Sequence, residues 1–286
     1  MRNRIHPAFF TTLSVAAALA FTGCNTDPVT DNVPDVNLPT KSEIDDAKLR
    51  VGISSEALTR AHAALEFLGI IPVYTCGEER AHFAGRLPAN LATGFAGAAF
   101  TLDATDPTAD KVSIVFPAAG SKVRGHKVTG NFFIKTSGGK DRFTLELDAR
   151  QAKIDGKAVQ TVAGYGTCGD STSYWADSEG PLPTAGQSYV LMAKVGKKAG
   201  ISVIGSTTLL VDATGSMTHD GKTDQVTLTS MDYEVGKLLP HSGTLLIITS
   251  SEKRILATFS QDTPIAGQVK VRVDSKSAVT IPLPGY

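Results

Sequence analysis

Three oxygen-bearing side chains alternate along one apolar stretch, LLVDATGSMTHDGK, at residues 209–222. Asp212, Thr214 and Ser216 occupy every second position after Leu210 and Val211. A carboxylate and two hydroxyls are ligands that hard cations such as calcium and magnesium accept. The spacing therefore raises the hypothesis that these residues hold a metal ion.

The run Asp-x-Thr-x-Ser resembles the start of the cation site in von Willebrand type A domains. That resemblance implies a long α/β chain after the motif, with further Thr and Asp ligands on later loops. About 70 residues of strand pattern follow Ser216 instead, and Thr214 stands where the family has Ser. Because a motif without its structural context carries little weight, we expect no metal and no cofactor.

The same stretch belongs to an imperfect internal repeat of a strand and a turn. The three copies read FTLDATDPTADK at 100–111, FTLELDARQAKIDGKAVQ at 143–160 and TTLLVDATGSMTHDGKTDQ at 207–225. Asp accepts local backbone hydrogen bonds in turns, and Gly adopts the positive φ that tight hairpins need. The repeat predicts hairpins at both Asp-Gly-Lys sites and interprets Asp212 as a turn residue.

A second candidate site is the aromatic segment GYGTCGDSTSYWADSEGPLPTAGQSY at 164–189, which we expect to be a long loop. Tyr174, Trp175 and Tyr189 are its candidate ligand contacts, since loops on rigid scaffolds often carry binding function. The alternative is that Trp175, the only tryptophan, simply packs against the domain.

Catalytic motifs are sparse. Gly169-Asp170-Ser171 resembles the Gly-Asp-Ser start of a hydrolase family, but Thr172 replaces Leu, and no Asp-x-x-His follows. His126, His219 and His241 stand in turn contexts, where we expect solvated rings, and His62 is expected on a helix surface. We expect no enzyme, although carboxylates paired only by folding would leave no trace in sequence.

The first 24 residues have the pattern of an export signal. Arg2 and Arg4 precede an apolar run at 8–21, which is too short to span a bilayer. Phe21-Thr22-Gly23-Cys24 resembles the lipobox of bacterial lipoproteins, with Phe21 in place of the usual Leu. The resemblance implies cleavage after residue 23, acylation of Cys24 and a place in the cell envelope, and Asn25 after the cysteine implies the outer membrane.

Composition limits the partners. The chain has 28 basic and 28 acidic residues and no basic block, which argues against a nucleic-acid partner. Residues 24–45, rich in Pro and Asp, are expected to form a disordered tether. The membrane, through the lipid anchor, and an envelope protein, polymer or lipid are the expected partners.

Two cysteines remain after Cys24. Cys76 and Cys168 share similar surroundings, and in an exported protein we expect them to form a disulfide. A metal site that uses both cysteines with His82 is the alternative, but the close-spaced pairs of zinc motifs are missing.

The remaining pattern indicates a mainly β fold. SSEALTRAHAALEFLG, at 54–69, predicts one amphipathic helix that starts at Ser54 or Ser55. After it, about a dozen short runs, from HFAGRL to QVKVRV, predict strands. Apolar residues alternate at 143, 145 and 147 and at 269, 271 and 273, which predicts a sheet with one buried face. We expect a large antiparallel sheet, as a sandwich or a curled partial barrel, in one domain at 46–286, or two domains divided near 196–200.

Three functions agree with these features. The first is a lipid-anchored, non-enzymatic binding or structural module. The second is a carrier of lipids or other hydrophobic ligands, with a cavity inside the curled sheet, by analogy of fold alone. The third is an envelope hydrolase, which would need a cleft with two carboxylates, or with Ser and His.

Overall fold

The computed structural model describes residues 37–103, 105, 110–168, 173–181, 186–195, 208–234 and 236–283. The expected signal peptide, Cys24 and most of the tether lie outside these residues. So do Gly169-Asp170-Ser171 and the expected alternative boundary at 196–200. Residues Asn37–Tyr286 form one compact unit.

The first element is helix α1 (Lys41–Leu68). Thr40 caps it in a capping box, in which Glu43 N donates to Thr40 Oγ1 at 3.3 Å and Thr40 N donates to Glu43 Oε2 at 2.7 Å. The helix therefore begins earlier than the expected Ser54 or Ser55, and residues 41–45 of the expected tether are helical.

Two further helices are present among the described residues: α2 (Arg80–Gly94) and the single turn α3 (Thr263–Ala266). The prediction of a strand at HFAGRL, 82–87, is wrong. Phe83, Leu87 and Leu91 are buried at a spacing of four residues, which is a helical period. Pro88 lies inside α2 and hid that period from the sequence analysis.

Sixteen strands follow α1 and α2 among the residues that the structure describes. The first eight are β1 (Ala99–Asp103), β2 (Lys111–Val115), β3 (Ser121–Val123), β4 (His126–Gly139), β5 (Arg142–Asp148), β6 (Ala152–Ile154), β7 (Lys157–Ala158) and β8 (Thr161–Thr167). The others are β9 (Ser173–Pro181), β10 (Ser188–Val195), β11 (Thr208–His219), β12 (Lys222–Glu234), β13 (Ser242–Ile248), β14 (Arg254–Phe259), β15 (Gln268–Val273) and β16 (Val279–Pro282).

These strands form one large antiparallel sheet, which confirms the predicted fold class. Its order is β1-β2-β4-β5-β8-β9-β10-β11-β12-β13-β14-β15-β16, with β3 and β6 beside the first part of β4 and β7 beside β6. Among the described strands, β1 and β16 each pair with one neighbour, so the sheet is open.

The sheet curls around α1. The helix contacts β8 to β11 and also β13, β15 and β16, which lie far apart in the strand order. One rod can touch such distant strands only if the sheet bends around it. The alternating inward residues of the strands, such as Phe143, Leu145 and Leu147 on β5, are buried as predicted.

Helix α1 is consequently buried on every side over most of its length. From Val51 to Leu68 every residue except Glu56 is buried, including the polar residues Arg60 and Glu66 and also His62, which was expected on the helix surface. The helix is present as predicted, but it is not a surface helix. Within the described ranges, no helix combines the length and apolarity needed to cross a bilayer.

The predicted disulfide between Cys76 and Cys168 is confirmed. The two Cα atoms lie 5.2 Å apart, and 92 positions separate the residues in sequence. The bond joins the segment between α1 and α2 to the end of β8. In the chain-entropy model a loop of this length stabilises the fold by about 4–5 kcal/mol.

Candidate functional site

The candidate metal ligands do not converge. Asp212, Thr214 and Ser216 lie along the single strand β11, so the first and last are about 13 Å apart at the usual rise of a strand. One cation cannot reach all three, because calcium and magnesium bind oxygen at about 2.0–2.6 Å. In the part of the chain that the structure describes, no three His, Cys, Asp or Glu side chains form a possible metal group.

Asp212 has a structural partner instead. Its Oδ1 accepts a hydrogen bond of 2.6 Å from the backbone N–H of Ser230, at an irregularity in the β11–β12 register next to Val211. The interpretation of Asp212 as a turn residue is therefore wrong, since β11 continues to His219. The equivalent Asp148 does end its strand and accepts from Arg150 N at 3.0 Å.

Both predicted Asp-Gly hairpins are present. Asp155 and Gly156 have φ values of 50° and 83°, and Asp220 and Gly221 have 48° and 71°. Two consecutive residues with positive φ match the twist of the flanking strands, β6 and β7 in one hairpin and β11 and β12 in the other.

The three predicted ligand-contact aromatics are strand residues rather than loop residues, and Trp175 lies on the opposite face of the sheet from Tyr174 and Tyr189. Trp175 on β9 lies half-buried over Gly164, where an added Cβ would be 2.5 Å from the indole. Tyr174 faces the other side and packs on Tyr165, with ring centroids 5.7 Å apart. Tyr189 on β10 is buried. The prediction that these three residues form a single recognition loop is therefore wrong.

Tyr189 leads to a site that the sequence analysis did not find. Its ring lies 5.6 Å from the guanidinium carbon of Arg60, and its hydroxyl is 3.3 Å from Arg60 Nη1. Arg60 belongs to the buried helix α1, and its side chain is 7 % exposed. A buried arginine needs partners, because an unpaired charge away from water is costly.

The partners of Arg60 come from three elements. Glu56, one helical turn earlier, receives a hydrogen bond of 2.6 Å from Nη2. Nη1 donates to Gln160 Oε1, in the connection before β8. Nε is buried without a hydrogen-bond partner among the described residues. Since a guanidinium has five N–H donors, this network leaves part of its capacity unused.

Gln160 is held in place by backbone features. It adopts a φ of 54°, and its side chain lies over Gly180 of β9, where an added Cβ would be 2.8 Å from the amide. Its carbonyl accepts hydrogen bonds from Glu179 N at 3.2 Å and from Ser178 Oγ at 3.3 Å. The absence of a side chain at Gly180 therefore lets Gln160 reach Arg60.

A cavity of about 240 Å³ lies beside Arg60. One wall is a face of α1, and the others are the β6–β7 hairpin with its exit and the connection between β12 and β13. Most of the lining surface is apolar, and four charged residues, Glu56, Arg60, Asp155 and Lys157, also line the space. The lining residues are Glu56, Thr59, Arg60, Ala63, Ile154, Asp155, Lys157, Ala158, Val159 and Leu238.

Two sets of hydrogen bonds make the walls rigid. Thr59 Oγ1 contacts the carbonyl oxygens of Ser55 and Leu238 at 2.8 and 3.1 Å, which ties the β12–β13 connection to the helix. At the hairpin tip, Asp155 Oδ2 lies 2.8 Å from His126 Nδ1, and Oδ1 accepts from Lys127 N at 2.9 Å. The cavity is thus a preformed feature of the fold.

The cavity holds two carboxylates, and both already have partners. Burial alone would raise the pKa of Asp155, but hydrogen bonds from His126 and from Lys127 N hold that pKa below its usual value. Glu56 is bound to Arg60. General acid–base hydrolysis needs one carboxyl with a raised pKa, and Asp155 is shifted in the opposite direction.

The histidine predictions are mostly wrong. His62, His126 and His219 are buried rather than solvated. His62 stacks on Tyr233 with ring centroids 3.9 Å apart, and burial lowers the pKa of His62 to about 3. The Gly and Ser residues next to these histidines indicate turns in the backbone. They do not indicate whether the imidazole ring lies on the inner or the outer side of the curled sheet.

No family model matches this chain, and searches of curated proteins and of solved structures find no match either. The chemistry of the site therefore rests on its own geometry.

Proposed function

We propose that this protein is a lipid-anchored bacterial envelope lipoprotein whose β unit is a non-enzymatic binding module for a small ligand. Cys24 carries the acyl chains, residues after it form the tether, and the outer membrane is the location. The observation that carries the binding role is the preformed cavity of about 240 Å³ beside the buried Arg60. Preformed concave sites with apolar walls and a few polar groups are typical of ligand binding.

The carrier alternative needs a larger empty space. A lipid carrier would have a dry apolar cavity of several hundred Å³ inside the curled sheet, and α1 lies there instead. The cavity beside α1 is also smaller than the range of about 300–1,000 Å³ that is usual for ligand pockets. These features favour a small ligand over a whole lipid.

The hydrolase alternative needs a general acid and a base or nucleophile. Glu56 and Asp155 both line the cavity, but Glu56 is bound to Arg60 and the pKa of Asp155 is lowered. Trp175 lies outside the group of lining residues. The geometry therefore favours binding over catalysis.

The anchor can be tested by metabolic labelling with an alkyne fatty acid in a bacterial host, followed by membrane fractionation. The unaltered chain should take up the label and should partition with outer membranes, because several acyl chains give lasting attachment. The Cys24→Ser variant should lose both properties. An unlabelled wild-type chain, or label that persists in Cys24→Ser, would refute the anchoring.

A further inference from the structure

We infer that the cavity beside Arg60 binds a small monocarboxylic acid with an apolar body, and that the carboxylate replaces Glu56 on the guanidinium. This inference rests on the proposed binding role and names its ligand class. It follows from the size of the cavity, from its walls and from the way in which Arg60 is paired.

The walls select an apolar body. Ala63, Ile154, Ala158, Val159 and Leu238 face the space and supply no side-chain hydrogen bonds. An apolar cavity of about 150 Å³ accommodates benzene, so about 240 Å³ accommodates roughly ten non-hydrogen atoms. Benzoate and hexanoate have this size, whereas a long acyl chain does not fit.

The polar end selects a carboxylate. Arg60 is the buried cation of the site, and a guanidinium matches the geometry of a carboxylate in a two-point contact. Its other partners, Gln160 and Tyr189, are uncharged, so they help to place the guanidinium without neutralising it. The buried Nε without a partner shows that the donors of Arg60 are not saturated by the described residues.

Glu56 is suited to be displaced. Its side chain is 28 % exposed, while that of Arg60 is 7 % exposed. The Glu56 carboxylate is already partly in water, so moving it off the guanidinium costs less than moving a fully buried acid would. When an acid enters, Glu56 can rotate into water, and the ligand restores the charge balance of Arg60 while its apolar body leaves water.

The test uses residues 24–286 with Cys24→Ser, which retain the whole compact unit and cannot be acylated. Isothermal titration calorimetry compares benzoate and hexanoate with benzyl alcohol and hexanol, which match them in size but lack the charge. We expect the acids to bind with a Kd on the order of 0.1–1 mM and the alcohols to bind at least about tenfold more weakly.

Three variants make the test specific. Ala158→Phe places a ring in the cavity and should abolish binding. Lys153→Phe places the same ring on an exposed residue of the same hairpin and should leave binding unchanged. Glu56→Gln removes the competing carboxylate and should tighten the binding of acids by roughly tenfold, without an effect on the alcohols.

Three results would overturn the inference: no saturable binding of the acids at millimolar concentrations, equal affinity for acids and alcohols, or unchanged affinity in Ala158→Phe. These outcomes are independent of the membrane anchor, because the protein carries no acyl chain. A failure of the labelling experiment at Cys24 would in turn leave these affinities untouched.

Discussion

Arg50 and Arg60 lie on the same helix, α1, and both are buried, but their surroundings differ. Each has an acid four residues earlier: Arg50 Nε contacts both oxygens of Asp46 at 3.0 Å, and Arg60 Nη2 contacts Glu56 at 2.6 Å. Beyond that pair with a partly exposed acid, Arg50 contacts a second acid that is buried, whereas Arg60 contacts uncharged groups and a cavity.

The second acid at Arg50 is Asp224 of β12, which is fully buried. Nη1 of Arg50 forms an ion pair with Asp224 Oδ2, and His219 Nε2 lies 3.4 Å from the same oxygen. Asp224 Oδ1 accepts a hydrogen bond from Ser250 N at 2.8 Å. A ligand from solvent cannot replace the Asp224 carboxylate, because this carboxylate is fully buried and has no path into water along which it could leave Arg50.

The comparison separates two uses of a buried arginine. At Arg50 a buried acid neutralises the charge permanently and joins the helix to the sheet. At Arg60 a partly exposed acid neutralises the charge beside a cavity, so the carboxylate of a ligand can replace that acid as the partner of Arg60. The two sites should therefore respond differently when their acids are removed.

The largest expected effect is on Asp224. Asp224→Asn breaks the buried ion pair and leaves Arg50 with the partly exposed Asp46 alone, and removing one partner of a buried pair costs about 3–5 kcal/mol of the free energy of unfolding. Urea unfolding measured by circular dichroism would show it. The matched change at the other site, Glu56→Gln, should cost less than Asp224→Asn, because the Glu56 position is 28 % exposed and the amide oxygen of Gln can still accept from Arg60 Nη2. An equal loss of unfolding free energy in Asp224→Asn and Glu56→Gln would contradict the difference between the two arginine sites.

A third basic residue of α1, His62, sharpens the comparison because burial lowers its pKa to about 3 from 6.5. Between those values the unfolded chain binds a proton that the folded chain excludes. The free energy of unfolding therefore falls as the pH is lowered through this window, by up to about 1.4 kcal/mol per pH unit from His62. At lower pH both states are protonated and this slope disappears.

His62→Phe should remove that dependence while it keeps a ring against Tyr233. In urea unfolding at about pH 7.5 and about pH 4.5, the stability of the variant relative to wild type should rise by about 2–3 kcal/mol at the lower pH. Burial raises the pKa of Glu66, so this residue destabilises the fold as the pH rises, in both proteins alike. An identical difference at the two pH values would contradict the assignment of a neutral His62.

Local patterns in the sequence predicted a large part of the fold. Alternation identified the buried residues of β5 and β15, and the Asp-Gly pairs identified two hairpins, since these features depend on neighbours in the chain. The disulfide followed from the number of cysteines in a chain that the signal pattern predicts to be exported. Each of these predictions needs only the residues close to one another in the chain, or the number of cysteines.

The site could not be predicted in the same way. Arg60 and Gln160 are 100 residues apart, and their contact depends on the curl of the whole sheet. Polar residues on one side of a helix usually indicate a face that is exposed to solvent. In α1 the sheet covers that face, and no local pattern in the sequence indicates this. Trp175 and Tyr189 are neighbours of turns in sequence, yet β9 and β10 direct them to different surroundings.

The most direct test of the difference between the two arginines is an NMR titration of the Cys24→Ser protein, residues 24–286, with alanine methyl groups labelled. Ala63 and Ala158 line the cavity beside Arg60, and Ala47 lies on α1 near Arg50. On addition of benzoate, the signals of Ala63 and Ala158 should shift and saturate together while that of Ala47 stays fixed. No shift at Ala63 and Ala158, or equal shifts at all three, would contradict a ligand site at Arg60.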